Sequence, residues 1–148
     1  MSENNCVFCD IVSGKAPAHI IFENDLSMVI LDLNPLAAGH SLAIPKRHVP
    51  WWYELTAEEI TSLFSIARSA SEKMMEIFNP DFVGLYIRGR HVSHVHVHLV
   101  PTCKDDVIDT FFNAIEDYQY SEKNLNRLKG ITSLNEIAGR FSSHPFKG

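Results

Sequence analysis

The sequence predicts an α+β fold: a largely antiparallel sheet of about five strands, one long helix, a short N-terminal helix and a helical C-terminal tail. Three observations favour this architecture. Short β-rich runs separated by turn signals follow one another, a single long segment has apolar residues at helical spacing, and helical periodicity returns after Pro101. Runs of strands broken by one helix are typical of α+β domains rather than of parallel β-α-β units.

Composition limits the classes of protein to which the chain can belong. Its 148 residues, of which 45% are hydrophobic, predict one folded domain with an appended tail. The formal net charge of −5 argues against DNA or RNA polymers as partners, because such proteins carry a basic surplus. The first ten residues do not resemble a secretory signal, and no apolar run is long enough to span a membrane. We therefore expect a cytoplasmic protein with no membrane partner.

In the first third of the chain, a short helix is predicted at residues 6–13, where apolar residues are helically spaced before Gly14. Strands are predicted at residues 19–23 and 27–33, because β-rich runs flank the hairpin signal Asn24-Asp25. A third strand is predicted at residues 40–44 and should stop at Pro45, which lacks a backbone donor.

The long helix should begin at Thr56, since Glu59 follows three residues later in capping-box spacing, and it should end near Asn79-Pro80. Strands follow at residues 82–87 and 92–100. Helical spacing then returns at Val107 and again from Ser133. We predict a domain at residues 1–103 and a helical extension at 104–148, packed on the domain or on a second subunit.

The most informative feature is His94-Val95-His96-Val97-His98-Leu99-Val100. In a strand the side chains alternate, so the three imidazoles would share one face and the valines the other. Three interpretations are open: an exposed polar face, two metal ligands supplied by His-x-His, or a middle imidazole that attacks phosphorus. Imidazole has an ordinary pKa near 6.5, so it can act as a nucleophile at pH 7 without a general base.

Cys6 and Cys9 form a Cys-x-x-Cys pair on the predicted first helix. This spacing suits two ligands of one zinc ion, and it equally suits two buried free thiols. A redox pair is less favoured because no β-α-β context precedes it. Three cysteines in a reducing compartment do not indicate a disulfide framework.

Upstream of the histidines lie Gly39-His40 and Ile44-Pro45-Lys46-Arg47-His48, after the segment Leu31-Asp32. In this order the motifs resemble the histidine triad (HIT) family of nucleotidyl hydrolases and transferases, over about residues 6–101. The resemblance implies a HIT-like fold. It also implies that His96 attacks the α-phosphorus and forms a nucleotidyl-histidine, that His98 and His40 approach the phosphate oxygens, and that His94 supports the site.

By the same resemblance, a purine nucleotide or nucleotide conjugate binds in a nucleoside pocket. Apolar side chains sandwich the base and Asp32 accepts hydrogen bonds from the ribose. Considered alone, the apolar residues are equally consistent with ordinary core, and Asp32 with turn initiation. The pocket residues that the resemblance implies are Phe8, Ile11, Ile30, Asp32 and Leu33.

Similarity to zinc-bearing bacterial HIT proteins and to galactose-1-phosphate uridylyltransferases implies that His48 and His94 complete a zinc site with Cys6 and Cys9. Four protein ligands leave no coordination position open, so this zinc would be structural. No organic cofactor is implied. Family members are commonly homodimers, and we expect one here.

The sequence departs from the family just before the histidines. Relatives usually carry a longer loop with Asn, Gly-Gln and a hydroxyl residue, whereas here the stretch is short, with Arg90 in place of the Gln and His91 in place of the hydroxyl. Charged donors could suit a more anionic substrate, or the activation of the leaving group could be changed or lost.

The leading hypothesis is an enzyme acting at the α-phosphate of a nucleoside phosphoramidate, a dinucleoside polyphosphate or a related conjugate, with Arg90 and His91 among its nucleotide contacts. The alternatives are a nucleotide-binding or regulatory protein with little turnover, and a zinc-stabilised structural module.

Overall fold

A computed structural model describes residues 6–129 and 133–144. The elements in the first part of the chain are α1 (Val7–Val12), β1 (Ile20–Glu23), β2 (Ser27–Leu31), β3 (Ser41–Pro45), a single 3₁₀ turn (Trp52–Glu54) and α2 (Ala57–Phe78). The elements that follow are β4 (Phe82–Ile87), β5 (Val97–Thr102), α3 (Val107–Tyr120), α4 (Glu122–Lys129) and α5 (Leu134–Ser142).

The five strands form one antiparallel sheet in the order β1-β2-β3-β5-β4. The prediction of an α+β fold with a five-stranded antiparallel sheet, one long helix and a short first helix is therefore confirmed. The order places β5 between β3 and β4, and so brings the histidines of β5 next to His40, which precedes β3.

The two faces of the sheet bury different helices. Val29, Ala43 and Leu99 face α2, where they pack in one apolar cluster with helix residues such as Leu63 and Ala67. Neighbouring strand residues face the opposite side, where a second cluster forms around α1 from Cys6, Phe8, Met28, Ile30, Leu42 and Ile44. This alternation follows from the two-residue side-chain period of a strand. The second face is the one that carries the candidate site.

The long helix begins as the capping-box spacing predicts. The Thr56 hydroxyl accepts a hydrogen bond from the Glu59 backbone N–H at 3.2 Å, and the Glu59 carboxylate accepts one from the Thr56 backbone N–H at 2.8 Å. The helix ends at Phe78, and Asn79 caps it in the left-handed conformation with φ of 47°. The Glu59 carboxylate also accepts two hydrogen bonds from the Arg47 guanidinium, at 2.6 and 2.7 Å.

The last strand differs from its prediction at both ends. It begins at Val97 rather than at residue 92, because its pairing with β3 and with β4 ends at Val97 on both sides. It continues to Thr102, which pairs with Phe82, two residues beyond the predicted end at residue 100, and helical structure resumes at Val107 as predicted. His94 and His96 therefore precede the strand, and His98 alone of the three lies within it.

Strands β2 and β3 also differ from their predicted bounds. β2 ends at Leu31, because Asp32 turns the chain by accepting a hydrogen bond from the Asn34 backbone N–H at 2.8 Å. β3 extends to Pro45, and His40 lies just before the strand. Helix α4 falls within the predicted helical extension but was not predicted as a separate helix, since its residues are mostly polar.

The chain divides into two compact units, residues 1–109 and 110–148. Ile108, at the start of α3, is buried within the first unit close to Gly84. The second unit contains the rest of α3 with α4 and α5. Ser133, from which helical spacing was predicted to return, caps α5 by accepting a hydrogen bond from the Glu136 backbone N–H. Parts of the predicted extension, at 130–132 and 145–148, lie outside the described residues. No described helix combines the length and apolar character needed to cross a bilayer.

Candidate functional site

Four side chains in a row across the sheet form the floor of a pocket of about 480 Å³. Ile30 pairs with Leu42, Leu42 with His98, and His98 with Tyr86, so the row crosses four adjacent strands. Paired residues of neighbouring strands point to the same face. The antiparallel register thus places an imidazole between apolar and aromatic neighbours. We call this cavity the histidine pocket.

The walls of the histidine pocket come from α1 and from the turn after β2. Phe8 and Ile11 line it from the helix, and Asp32 and Leu33 line it from the turn. The Phe8 ring contacts His96, with centroids 5.2 Å apart. The structure thus brings all five residues of the predicted nucleoside pocket to one cavity, together with His96, His98 and His91.

One ring nitrogen of His96 is hydrogen-bonded to the backbone, and the other keeps its lone pair. Its Nδ1 lies 2.7 Å from the backbone carbonyl oxygen of His94, which can only accept, so Nδ1 carries the proton and donates. The Nε2 atom of the neutral ring is then left with its lone pair. Because His96 lines the histidine pocket, this nitrogen is positioned to attack an electrophile bound there.

A hydrogen-bonded relay fixes the tautomers of the other two histidines. The Leu36 backbone N–H donates to His40 Nδ1 at 3.1 Å, so the neutral His40 ring carries its proton on Nε2. That atom lies 3.0 Å from His98 Nδ1, to which it donates, and 3.7 Å from the Asp32 carboxylate. His98 therefore carries its own proton on Nε2, the nitrogen left to donate to a ligand.

The surroundings keep these two rings uncharged. Burial lowers the pKa of His98 to about 4, assisted by its neighbours His96 and His40 and opposed by Asp32. Burial also lowers the pKa of His40, and Asp32 partly offsets that effect. Tyr86 stacks flat on the His98 ring, with centroids 4.3 Å apart and planes inclined by 9°. At neutral pH the relay thus offers a fixed donor rather than a positive charge.

Beside the histidine pocket, Cys6, Cys9, His48 and His94 form a cluster whose ligand atoms all lie within 4.8 Å of one another. Sulfur-to-Nδ1 distances are 3.5 Å from Cys6 to His94, 3.6 Å from Cys9 to His94 and 3.2 Å from Cys9 to His48. Zinc bonds of about 2.3 Å to sulfur and 2.0 Å to nitrogen predict tetrahedral edges of about 3.5 Å between such atoms. The four residues therefore have both the donor chemistry and the spacing of a structural zinc site.

His94 is prepared for this cluster by its second nitrogen. Its Nε2 lies 2.8 Å from the Pro45 backbone carbonyl oxygen and must donate to it, so Nδ1 faces the thiols without a proton. Burial lowers the pKa of His94 to about 4, opposed by that hydrogen bond. The side chain is fully buried and does not line the histidine pocket.

The loop before the histidines divides its cationic residues between two cavities. Arg88 and His91 line the histidine pocket. Arg90 lies instead against a second groove, which it shares with Arg88 and Trp51. Sequence reasoning missed Tyr86 and Arg88; the alternation of β4 could have placed Tyr86 beside a histidine only once the neighbouring strand was known.

Comparison with known proteins gives consistent matches. The HIT domain model matches residues 13–105. The bis(5'-adenosyl)-triphosphatase of Dictyostelium discoideum is 34% identical over 132 residues, covering 80% of this chain and 89% of the relative. The adenylylsulfatase of Arabidopsis thaliana is 32% identical over 111 residues, covering 72% of this chain, which spans 56% of that relative's length. A zinc-bound histidine triad family protein from Mycobacterium smegmatis has a similar structure, with a TM-score of 0.65, 31% identity and coverage of 72% of this chain and 81% of that one.

Proposed function

The chain belongs to the histidine triad family, and from that premise we propose that it hydrolyses, or transfers a nucleotidyl group from, a phosphorus-linked nucleotide conjugate through a covalent bond to His96. The substrate classes are nucleoside phosphoramidates, dinucleoside polyphosphates and related conjugates. The observation that carries the proposal is the His96 ring, whose Nδ1–H is held by the His94 carbonyl so that Nε2 is left toward the histidine pocket.

In the first step, the His96 Nε2 lone pair forms a bond to the α-phosphorus. The bond between phosphorus and the leaving group breaks, and the leaving group departs with the electron pair and takes up a proton. In the second step, water attacks the phosphorus, the P–N bond breaks, and the nucleoside monophosphate and a proton are released. The covalent intermediate divides one difficult displacement into two easier ones.

His98, oriented by His40, stabilises the negative charge on the phosphoryl oxygens. The His98 Nε2–H is the free end of the relay from Leu36 through His40, so its direction is set before substrate binds. A preorganised donor costs no reorganisation when charge develops. The low pKa of His98 keeps its other nitrogen an acceptor for His40 at neutral pH.

The nucleoside half would occupy the apolar side of the histidine pocket, where Phe8, Ile11 and Ile30 contact the base and Asp32 accepts hydrogen bonds from the ribose. We also propose that Cys6, Cys9, His48 and His94 hold a structural zinc ion. When bound, zinc would fix α1 against the segment that carries His96. The cluster supplies four protein ligands and so leaves zinc no open position for substrate.

The decisive experiment follows intact mass during turnover of diadenosine triphosphate and of adenosine 5'-phosphoramidate. We expect a transient gain of one adenylyl group in the unmodified protein and none in His96→Ala, whose turnover is lost. His19→Ala is the matched control, because His19 is exposed and lies just before β1. Normal turnover by His96→Ala would rule out the covalent route.

The second candidate is a nucleotide-binding protein with little turnover, which the shortened loop favours because Arg90 and His91 replace neutral donors. Tight binding of adenosine monophosphate without adduct or product would support it over the enzyme. The expected homodimer and the cytoplasmic location stay predictions.

A further inference from the structure

A second groove of about 350 Å³ adjoins the histidine pocket, and its lining combines aromatic rings with arginines. Arg88 lines both cavities, so this side chain lies at the boundary between them. We call the second cavity the aromatic groove. Its lining residues are Pro50, Trp51, Trp52, Tyr53, Ile87, Arg88, Gly89, Arg90 and Val95.

Three consecutive aromatic residues leave ring surface open in this groove. Trp51 is 43% exposed, Trp52 50% and Tyr53 64%. The Trp51 and Tyr53 rings lie nearly parallel, with planes inclined by 5° and centroids 6.2 Å apart. Large apolar rings are normally buried, and clustered exposed aromatics are typical of binding surfaces. Flat ring faces of this kind are suited to stacking against a nucleobase.

The charge of the aromatic groove favours a polyphosphate. Among the described residues, neither Arg88 nor Arg90 forms an ion pair with an acidic side chain. Two uncompensated guanidiniums therefore lie together on a chain whose net charge is −5. Arginine binds phosphate oxygens through two parallel hydrogen bonds, which makes it suited to this ligand.

The position of the loop explains how the groove is formed. A Cβ at Gly89 would lie 3.4 Å from the Pro50 carbonyl oxygen and 3.9 Å from the Trp51 ring, so the loop is held close to the aromatic segment. Arg88 and Arg90 flank this glycine. The short loop that replaces the family's usual Gly-Gln segment thus places Arg88 between the two cavities and Arg90 beside the aromatic rings.

We propose that the aromatic groove binds the leaving-group half of a dinucleoside polyphosphate, with its base stacked on Trp51 or Tyr53 and its bridging phosphates bound by Arg88 and Arg90. This inference rests on the proposed function, since the other half of the substrate occupies the histidine pocket. It narrows the substrate class to conjugates whose leaving group is itself a nucleotide.

The test compares two substrates with the same adenylyl half. Diadenosine triphosphate has a nucleotide leaving group that can reach the aromatic groove, whereas adenylyl sulfate has only sulfate. Because stacking of one base is worth a factor of about five to 150, Trp51→Ala should lower kcat/KM for diadenosine triphosphate within that range. Arg90→Gln should lower it about tenfold. Turnover of adenylyl sulfate should stay within about twofold for both variants.

Phe82→Ala and Arg68→Gln are the matched controls, because these side chains are also exposed and line neither cavity. They should leave the ratio of kcat/KM between the two substrates unchanged. An equal fall for both substrates in Trp51→Ala, or no fall for either, would overturn the proposal. So would a change of oligomeric state in Trp51→Ala, which would assign the groove to a subunit contact. Tyr53→Ala provides a second variant, should Trp51→Ala fail to fold.

Equilibrium binding separates this inference from the covalent mechanism. In a His96→Ala background, calorimetry with intact diadenosine triphosphate needs no turnover. Adding Trp51→Ala should weaken that binding about five- to 150-fold and leave the binding of adenosine monophosphate unchanged. If Trp51→Ala weakens the binding of diadenosine triphosphate but not of adenosine monophosphate, and the unmodified protein forms no adduct, the covalent mechanism is wrong and the assignment of the groove stands. If His96→Ala binds diadenosine triphosphate equally well with and without Trp51→Ala, the assignment of the groove is wrong and the covalent mechanism is unaffected.

Discussion

Two histidines that lie two residues apart, His94 and His96, have the same side chain and opposite arrangements. His94 donates through Nε2 to Pro45 and turns Nδ1 toward two thiols, and its side chain is fully buried. His96 donates through Nδ1 to the His94 carbonyl and leaves Nε2 to the histidine pocket. In each case a backbone carbonyl selects the nitrogen that stays free. The comparison teaches that the acceptor behind an imidazole, rather than the imidazole itself, decides what it can do.

The largest effect expected from this comparison is on stability. His94→Ala should lower the free energy of unfolding by about 3 kcal/mol or more, since it removes one of the four proposed zinc ligands and the contacts of both thiols with His94. His96→Ala should cost about 1 kcal/mol, the value of one buried hydrogen bond. Urea unfolding, with metal analysis of each purified variant, measures both.

Zinc should be present in His96→Ala and absent or weakly held in His94→Ala. A strong chelator should destabilise the unmodified protein by an amount similar to His94→Ala. If the unmodified protein contains no zinc, or if both alanine variants lose stability equally, the assignment of His94 to the metal and of His96 to the reaction is contradicted.

The next effect concerns the relay behind His98. His40→Ala removes the donor to His98 Nδ1, so His98 can change its tautomer and lose the fixed Nε2–H; kcat/KM should fall about 10- to 100-fold. His40→Gln should recover most of the rate, because its amide can accept from Leu36 and donate to His98. Steady-state kinetics of both variants provide the measurement. A Gln variant as impaired as the Ala variant would mean that His40 acts through its own ring and not through the relay.

The smallest expected effect is on stability, at the Arg47–Glu59 ion pair beside the Cys2His2 cluster. Arg47, next to the cluster residue His48, is bound by Glu59, whose side chain is buried. Glu59→Gln should lower the free energy of unfolding by about 1–3 kcal/mol at pH 7. The exposed pair of Arg68 and Glu72 provides the control: Glu72→Gln should cost at most about 0.5 kcal/mol.

The same pair predicts a pH window. Hydrogen bonds from Arg47, together with those from Thr56, hold the pKa of Glu59 at about 2, below its ordinary value of 4.5. A lowered carboxyl pKa gives stability that is present above pH 4.5 and is lost as the pH falls toward 2. The stability difference between the unmodified protein and Glu59→Gln should therefore shrink across that window, as urea unfolding at several pH values can measure. A constant difference would contradict this account.

Local patterns determined much of the fold. The capping box at Thr56 and the helical spacing after it fixed α2, and alternation with turn signals gave five strands, because these signals depend on neighbouring residues alone. The extent of β5 escaped prediction, since a strand ends where its partners end and those partners are distant in sequence. Arg90 and Tyr86 show the same limit at the site: neither cavity can be assigned until the loop and the sheet are folded.

By itself, then, the sequence determined which residues could carry chemistry: two thiols, a row of histidines and an upstream Gly-His, because residue type and spacing are local properties. The tertiary structure alone decided how they divide into a Cys2His2 cluster and an open pocket. That division depends on which carbonyl lies behind each ring, and the Pro45 carbonyl reaches His94 across 49 residues of chain. A hydrogen bond of such long range has no local signal in the sequence.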